Sequence, residues 1–236
     1  MTISKETKNK IIWACIYFVA VIAIVIAGSF IFTKSYFQTF WVEGYSMSPT
    51  INYKLDNKHY EFGLSDQSNS ARSNTQRYDI VITQYPEEWK VKDTSSKIKR
   101  VWGLPNETIT LKDDGSFVVE TLNSNSNYET EFEIKPVIDG DYYVYKTTQK
   151  TFRMTKTNRI VSRYTLKDNE YFLMGDNWAG SSDSYEYNIK NHFTSNVLFS
   201  DLVGVVVSLQ GTCTITYDGT NPVLEKTFYS KERYFI

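Results

Sequence analysis

Two cysteines, two histidines and five prolines in 236 residues leave little room for several kinds of chemistry. Cys15 lies inside an apolar N-terminal run and Cys213 near the other end, so they cannot staple a soluble domain, and neither has metal-ligand spacing. His59 and His192 stand apart, without a Cys, His or acidic cluster that resembles a zinc site. No metal and no cofactor is expected. An excess of charge of either sign is missing too: 26 basic residues face 27 acidic ones, and the basic ones are spread along the chain. Proteins that track phosphates concentrate their lysines and arginines, so no nucleic-acid partner is expected.

Aromatic residues are abundant, with 18 Tyr and 14 Phe, many in short runs with Val, Ile and Thr that favour strands over helices. The length suffices for one large domain or two small ones. Strand-like segments lie at 37–43, 78–85, 98–103, 108–112, 141–147, 171–174, 202–209 and 212–217. Asp113-Asp114-Gly115-Ser116, between Leu111 and Phe117, reads as a hairpin turn. Residues 65–76 and 122–127 are rich in Ser and Asn and read as exposed loops. The segment 113–168 has strands and turns of its own, as an inserted smaller lobe would.

One long hydrophobic run is present. Residues 11–32 carry no charge, and about 20 such residues cross a bilayer as a helix. Lys5, Lys8 and Lys10 precede the run and only Lys34 follows closely, which places residues 1–10 in the cytoplasm and the rest of the chain outside. Trp13 and Tyr17 at one end, and Tyr36, Phe37, Phe40 and Trp41 after the other, suit the two interfaces. A cleavable signal has an apolar region of roughly 7–15 residues. Although Ala27-Gly28-Ser29 imitates a cleavage site, the run is longer than that and reads as an uncleaved anchor. A core helix is a weaker reading, since a segment apolar all round has no solvent face.

Just beyond the anchor comes Glu43-Gly44-Tyr45-Ser46-Met47-Ser48-Pro49-Thr50. Gly, Ser and Pro alone would make this a turn. A string of the form Ser-Met-x-Pro-Thr, however, arises by chance on the order of once in a thousand chains of this length. Gly44 lets a substrate backbone approach, and Pro49 fixes φ near Ser46. A hydroxyl needs a base to take its proton, and neither histidine sits in a supporting motif, so lysine is the candidate. Lys97-Ile98-Lys99-Arg100-Val101-Trp102-Gly103-Leu104-Pro105 offers two lysines on the same face of a strand, which pattern alone does not separate. An unperturbed lysine is well under about 1% neutral at pH 7, so a basic one must be desolvated, and Ile98, Val101 and Trp102 are suitable neighbours. A third segment, Met174-Gly175-Asp176-Asn177-Trp178-Ala179-Gly180-Ser181-Ser182-Asp183-Ser184, is a turn by composition.

Taken in order, these segments resemble the conserved boxes of type I signal peptidases. The resemblance implies that Ser46 is the nucleophile and Lys99, directly before Arg100, its general base. Ser181 would hydrogen-bond the lysine and Asp183 brace the site, with Gly44 and Met47 supporting the nucleophile. Arg77-Tyr78-Asp79-Ile80-Val81 and Asp201-Leu202-Val203-Gly204 match two further boxes weakly. Trp178 and Tyr185 stand where the family has arginines, Asn106-Glu107 where it has Gly-Asp, and Tyr78 where it has Gly. Some relatives also carry a hydroxyl two positions before the nucleophile to help the oxyanion; Gly44 has none, which leaves the backbone to serve.

The fold so implied is mostly β: a signal-peptidase-like antiparallel β ectodomain with a catalytic core at 35–112 and 169–236, a cap lobe at 113–168 and one N-terminal transmembrane helix. The implied activity is removal of signal peptides from exported precursors at the outer face of a cell membrane, with those precursors and the lipid bilayer as partners. Loss of the arginines keeps open an alternative, a weak or inactive scaffold for assembling surface proteins such as pili.

Overall fold

An apolar segment without a polar stripe forms a helix that offers water no face. In a computed structural model of the chain, Lys5–Tyr36 is one continuous helix, α1. Its candidate span, Asn9–Tyr36, contains an 18-residue window of mean hydropathy 2.8 and extends past both ends of the expected 11–32. The structure describes residues 5–52, 55–56, 58–89, 95–112, 117–122, 128–134, 137–139, 142–144, 160–177, 180–190 and 196–235. Two units are distinguished, residues 1–38 and 39–236.

The second unit is built mainly of antiparallel strands, the first of which begins two residues before it. In chain order they are β1 (Phe37–Trp41), β2 (Tyr60–Asp66), β3 (Ile80–Thr83), β4 (Lys97–Gly103), β5 (Thr108–Lys112), β6 (Phe117–Leu122) and β7 (Tyr128–Ile134). Then follow β8 (Val137–Asp139), β9 (Tyr142–Val144), β10 (Ile160–Thr165), β11 (Glu170–Met174), β12 (Val197–Leu198), β13 (Leu202–Asp218) and β14 (Asn221–Tyr234). Two short helices, α2 (Asn69–Ser73) and α3 (Ser184–Lys190), interrupt them. The main sheet runs β1-β2-β13-β3-β4-β11-β12, with β14 paired to β13; a second sheet runs β10-β5-β6-β7, and β8 pairs with β9.

Alternating apolar residues face one another where the two larger sheets meet. Trp102, Phe172 and Met174 of the main sheet pack on Ile109, Leu111, Phe117 and Val119 of the second, all of them buried. β5, grouped by sequence with 35–112, thus hydrogen-bonds in the second sheet, as do β6 and β10 from the inserted segment. A separate cluster joins Met47 and Ile51 to Ile80, Ile82 and Ile98. Through it the chain just after β1 is fastened to β3 and β4.

Several elements differ from expectation. Residues 65–76 are not one exposed loop: Ser65 is buried at the end of β2, and Ser68 caps α2 by accepting the Ala71 N–H at 3.1 Å. β13 is a single strand where two were expected. Its register shifts between Leu209 and Gly211, and a side chain at Gly211 would collide with the Thr227 carbonyl. β3 starts later than the expected 78, where Tyr78 has φ +77, and it ends at Thr83. The expected turn at 113–116, residues 123–127 of the expected loop, and residues 141 and 145–147 of the expected strand lie outside the described residues.

Candidate active site

The turn that carries Ser46 is held from inside. Met47 is fully buried among Ile80, Ile82 and Ile98, a burial that stabilises by roughly 1.5–3 kcal/mol, and it leaves its neighbour Ser46 only half-buried. Ser48, also buried, donates its hydroxyl to the Ile51 and Asn52 carbonyls at 3.1 and 3.4 Å. Asn52 sits at φ +60, and its Nδ2 donates to the Val42 carbonyl at 2.6 Å and the Gly44 carbonyl at 2.9 Å. Gly44 itself has φ +89, with open space where a side chain would be. The backbone angle, and not crowding, calls for glycine there.

β4 brings up the lysine. Lys99 pairs across the sheet with Val81 and is only 3% exposed. Its Nζ lies 2.9 Å from Ser46 Oγ and donates to the Ile98 carbonyl at 3.0 Å. Burial pushes its pKa down to about 8, assisted by the charge on Lys97 and opposed by Asp183 and Asp176. Lys97 is half-buried and donates to Ser95 Oγ at 2.7 Å. Distance therefore separates two lysines that strand parity left equivalent.

The third segment wraps around the turn from the other side. Asn177 donates its backbone N–H to the Ser46 carbonyl at 2.9 Å, and its Nδ2 to the Tyr45 carbonyl at 3.1 Å. Any side chain at Gly175 would collide with the Ser46 carbonyl and Ser181 Oγ. Asp183 accepts N–H bonds from Gly175 at 3.0 Å and Tyr185 at 3.1 Å, so it both ties the segment together and caps α3. Burial raises the pKa of its carboxyl, while the nearby Ser181 hydroxyl, the Gly175 N–H and the charge on Lys99 hold it down. Ser181 Oγ is buried and makes no hydrogen bond of good geometry among the described residues. The bond from Ser181 to Lys99 that the family implies is not formed.

Residues not singled out from sequence join the three segments. Arg100 donates Nε to Asp176 Oδ1 at 2.8 Å, Nη2 to Oδ2 at 2.6 Å and Nη1 to the Tyr78 carbonyl at 2.7 Å. Thr50 Oγ1 donates to Asp176 Oδ2 at 2.5 Å. One buried fork-on-fork ion pair thus connects the serine turn, the lysine strand and the Gly-Asp-Asn turn. All three residues lie inside the quoted motifs, but only Arg100 adjoins a chosen residue, Lys99.

Most of the departures have structural counterparts. The Tyr185 ring packs against the cluster of Trp102 and Phe117, and its hydroxyl donates to the Lys112 carbonyl at 3.3 Å. Asn106 occupies φ +69, which Asn tolerates better than most residues, and Glu107 pairs with Arg77 while accepting the Leu104 N–H at 2.7 Å. Tyr78 holds φ +77 with its ring edge-on to Trp102 at 5.5 Å. Trp178 lies outside the described residues.

Comparison with known proteins adds an independent line. A family model described as signal peptidase, peptidase S26, matches residues 11–207. Signal peptidase I U of Bacillus subtilis (strain 168) is 27% identical over 186 residues, 78% of this chain and 81% of that protein. Signal peptidase I P of Bacillus subtilis subsp. natto is 29% identical over 188 residues, 78% and 84% of the two chains. Signal peptidase I of Bacillus licheniformis is 28% identical over 199 residues, again 78% and 84%.

Proposed function

This chain belongs to the signal peptidase family, peptidase S26, and on that premise we propose that it is a membrane-anchored serine endopeptidase that removes signal peptides with a Ser46/Lys99 dyad. The observation that carries the reading is the 2.9 Å approach of Ser46 Oγ to a lysine that is 3% exposed. With a pKa of about 8, roughly 10% of Lys99 is neutral at pH 7, several hundred times the fraction for an ordinary lysine.

Neutral Lys99 takes the Ser46 proton as Oγ adds to the carbonyl carbon after a small residue of the precursor. The Ser46 backbone N–H donates to the oxyanion in place of a hydroxyl at position 44. Collapse breaks the C–N bond, the Lys99 ammonium protonates the leaving amine, and an acyl ester remains on Ser46. Lys99, neutral again, then activates the water that hydrolyses the ester. On this reading Asp183 holds the segment beside Lys99, with Ser181 lying against its Gly175, the core of 35–112 and 169–236 carries the chemistry, and 113–168 caps it. The substrate adds as a strand, with shallow pockets for small side chains. Residues 1–10 face the cytoplasm and the catalytic domain the outside.

Cleavage of a signal-peptide-bearing precursor by the purified full-length protein tests the assignment. Ser46→Ala and Lys99→Ala should each abolish it, Lys97→Ala should keep most of it, and Ser48→Ala, which loosens the turn without removing a dyad member, should lower it without abolishing it. Full activity in Ser46→Ala would sink the dyad. A second reading, a non-cutting scaffold for surface structures such as pili, draws support from Tyr185, which stands where the family has an arginine. It predicts that Ser46→Ala rescues a deletion strain as well as the wild type does, with normal processing throughout.

A further inference from the structure

β14 lies beyond the region matched by the family model, which stops at residue 207, and yet it reaches the serine turn. Tyr229 and Arg233 lie four residues apart, and both side chains meet the Glu61 carboxylate. Glu61 is buried, 5% exposed at the side chain, and its other oxygen accepts the Asn52 N–H at 2.6 Å. Asn52 returns the contact, accepting the Glu61 N–H at 2.7 Å, and its Nδ2 holds the Val42 and Gly44 carbonyls. Arg233 Nη1 also donates to the Thr50 carbonyl at 3.1 Å. The turn is therefore gripped at its entry, through Asn52, and at its exit, through Thr50. Asp176 binds the Thr50 side chain while Arg233 binds its backbone.

A buried carboxylate is held more strongly by a charged donor than by neutral ones, and a side-chain network of this kind holds its members more firmly than separate pairs do. We infer that Arg233 is a positioning residue for Ser46, acting through Glu61 and Asn52 on the turn 44–50, so that the C-terminal strand is part of the catalytic scaffold. The inference rests on the reading of Ser46 as nucleophile, but its geometric content does not need activity to be observed.

The test uses the full-length protein in detergent, with two readouts: steady-state precursor cleavage and amide hydrogen exchange across 44–52. Arg233→Ala should lower kcat roughly ten- to hundred-fold, the scale expected of a misplaced reacting group, with KM nearly unchanged. Tyr229→Phe should lower kcat less. Arg233→Lys should recover part of the loss, because one ammonium cannot serve both Glu61 and the Thr50 carbonyl as a guanidinium fork does. Exposed Lys231 on the same strand serves as control, and its alanine variant should match the wild type. Exchange across 44–52 should quicken in Arg233→Ala while β3 and β4 stay protected. Wild-type kcat and unchanged exchange in Arg233→Ala would overturn the inference. Should that variant fail to fold, Tyr229→Phe and Arg233→Lys decide by the same two readouts. Undiminished cleavage by Ser46→Ala would overturn the dyad reading instead, and the exchange result would still judge the role of Arg233.

Discussion

A lysine with a folded pKa of about 8 binds a proton less readily in the fold than in the unfolded chain, where the value is near 10.5. Between those two values the unfolded state holds more protons, so stability rises with pH across that window; below about 8 the fold carries the full cost of a buried ammonium, roughly 3 kcal/mol. Lys99→Met should therefore melt higher than the wild type at pH 7 while cleaving nothing. A variant less stable than wild type would show that Lys99 is held by contacts stronger than its desolvation. Tyr78 gives a second prediction at this scale. At φ +77 any side chain is strained, so Tyr78→Gly should be more stable than Tyr78→Ala by about 1 kcal/mol in urea titrations, although both lose the contact with Trp102. The closeness of Ser46 and Lys99 could be anticipated only through the resemblance of their segments to the family's boxes, since strand parity leaves Lys97 and Lys99 equivalent. Arg100, Asp176 and Glu61 were not legible, because their partners stand far off in the chain and ion pairing over such separations leaves no local pattern.

Among the elements, the turn after Met174 shows how backbone proximity sets geometry. Gly175 lies against the Ser46 carbonyl, and a single methyl there displaces Ser46. Gly175→Ala should cut kcat/KM on the order of a hundred-fold, read as precursor cleavage by protein whose circular dichroism is unchanged. Asp176→Ala should cost stability instead, about 3–5 kcal/mol in a denaturant titration, since it strands Arg100 in the interior. Strands rich in β-branched and aromatic residues, such as β4, β5 and β11, were readable to within a residue. β2 was missed: Gly63 in its middle looks like a breaker, but the glycine is needed because a side chain would collide with the Ser208 carbonyl. β14 was missed for a different reason. Its residues are mostly exposed and polar, so no hydrophobic period marks it, and the long ladder to β13 holds it in place.

For the molecule as a whole, the anchor and the β-rich class follow from two coarse signals, a charge-free run and an abundance of aromatic and β-branched residues. How the sheets are woven does not. β13 pairs with β2, β3 and β14, which come from opposite ends of the chain, and only tertiary packing makes that choice. The charge flanks predict that protease added to intact protoplasts digests residues 39–236 and spares residues 1–10; protection of 39–236 would reverse the orientation. The pH dependence of kcat/KM for precursor cleavage tests the central claim most directly, because it reports the protonation of the free enzyme's base. Since Lys99 must be neutral to accept the Ser46 proton, kcat/KM should rise about tenfold per pH unit in acid and level off above an apparent pKa of about 8. A rate that stays flat from about pH 5 to 9 in folded protein would contradict a titrating lysine base.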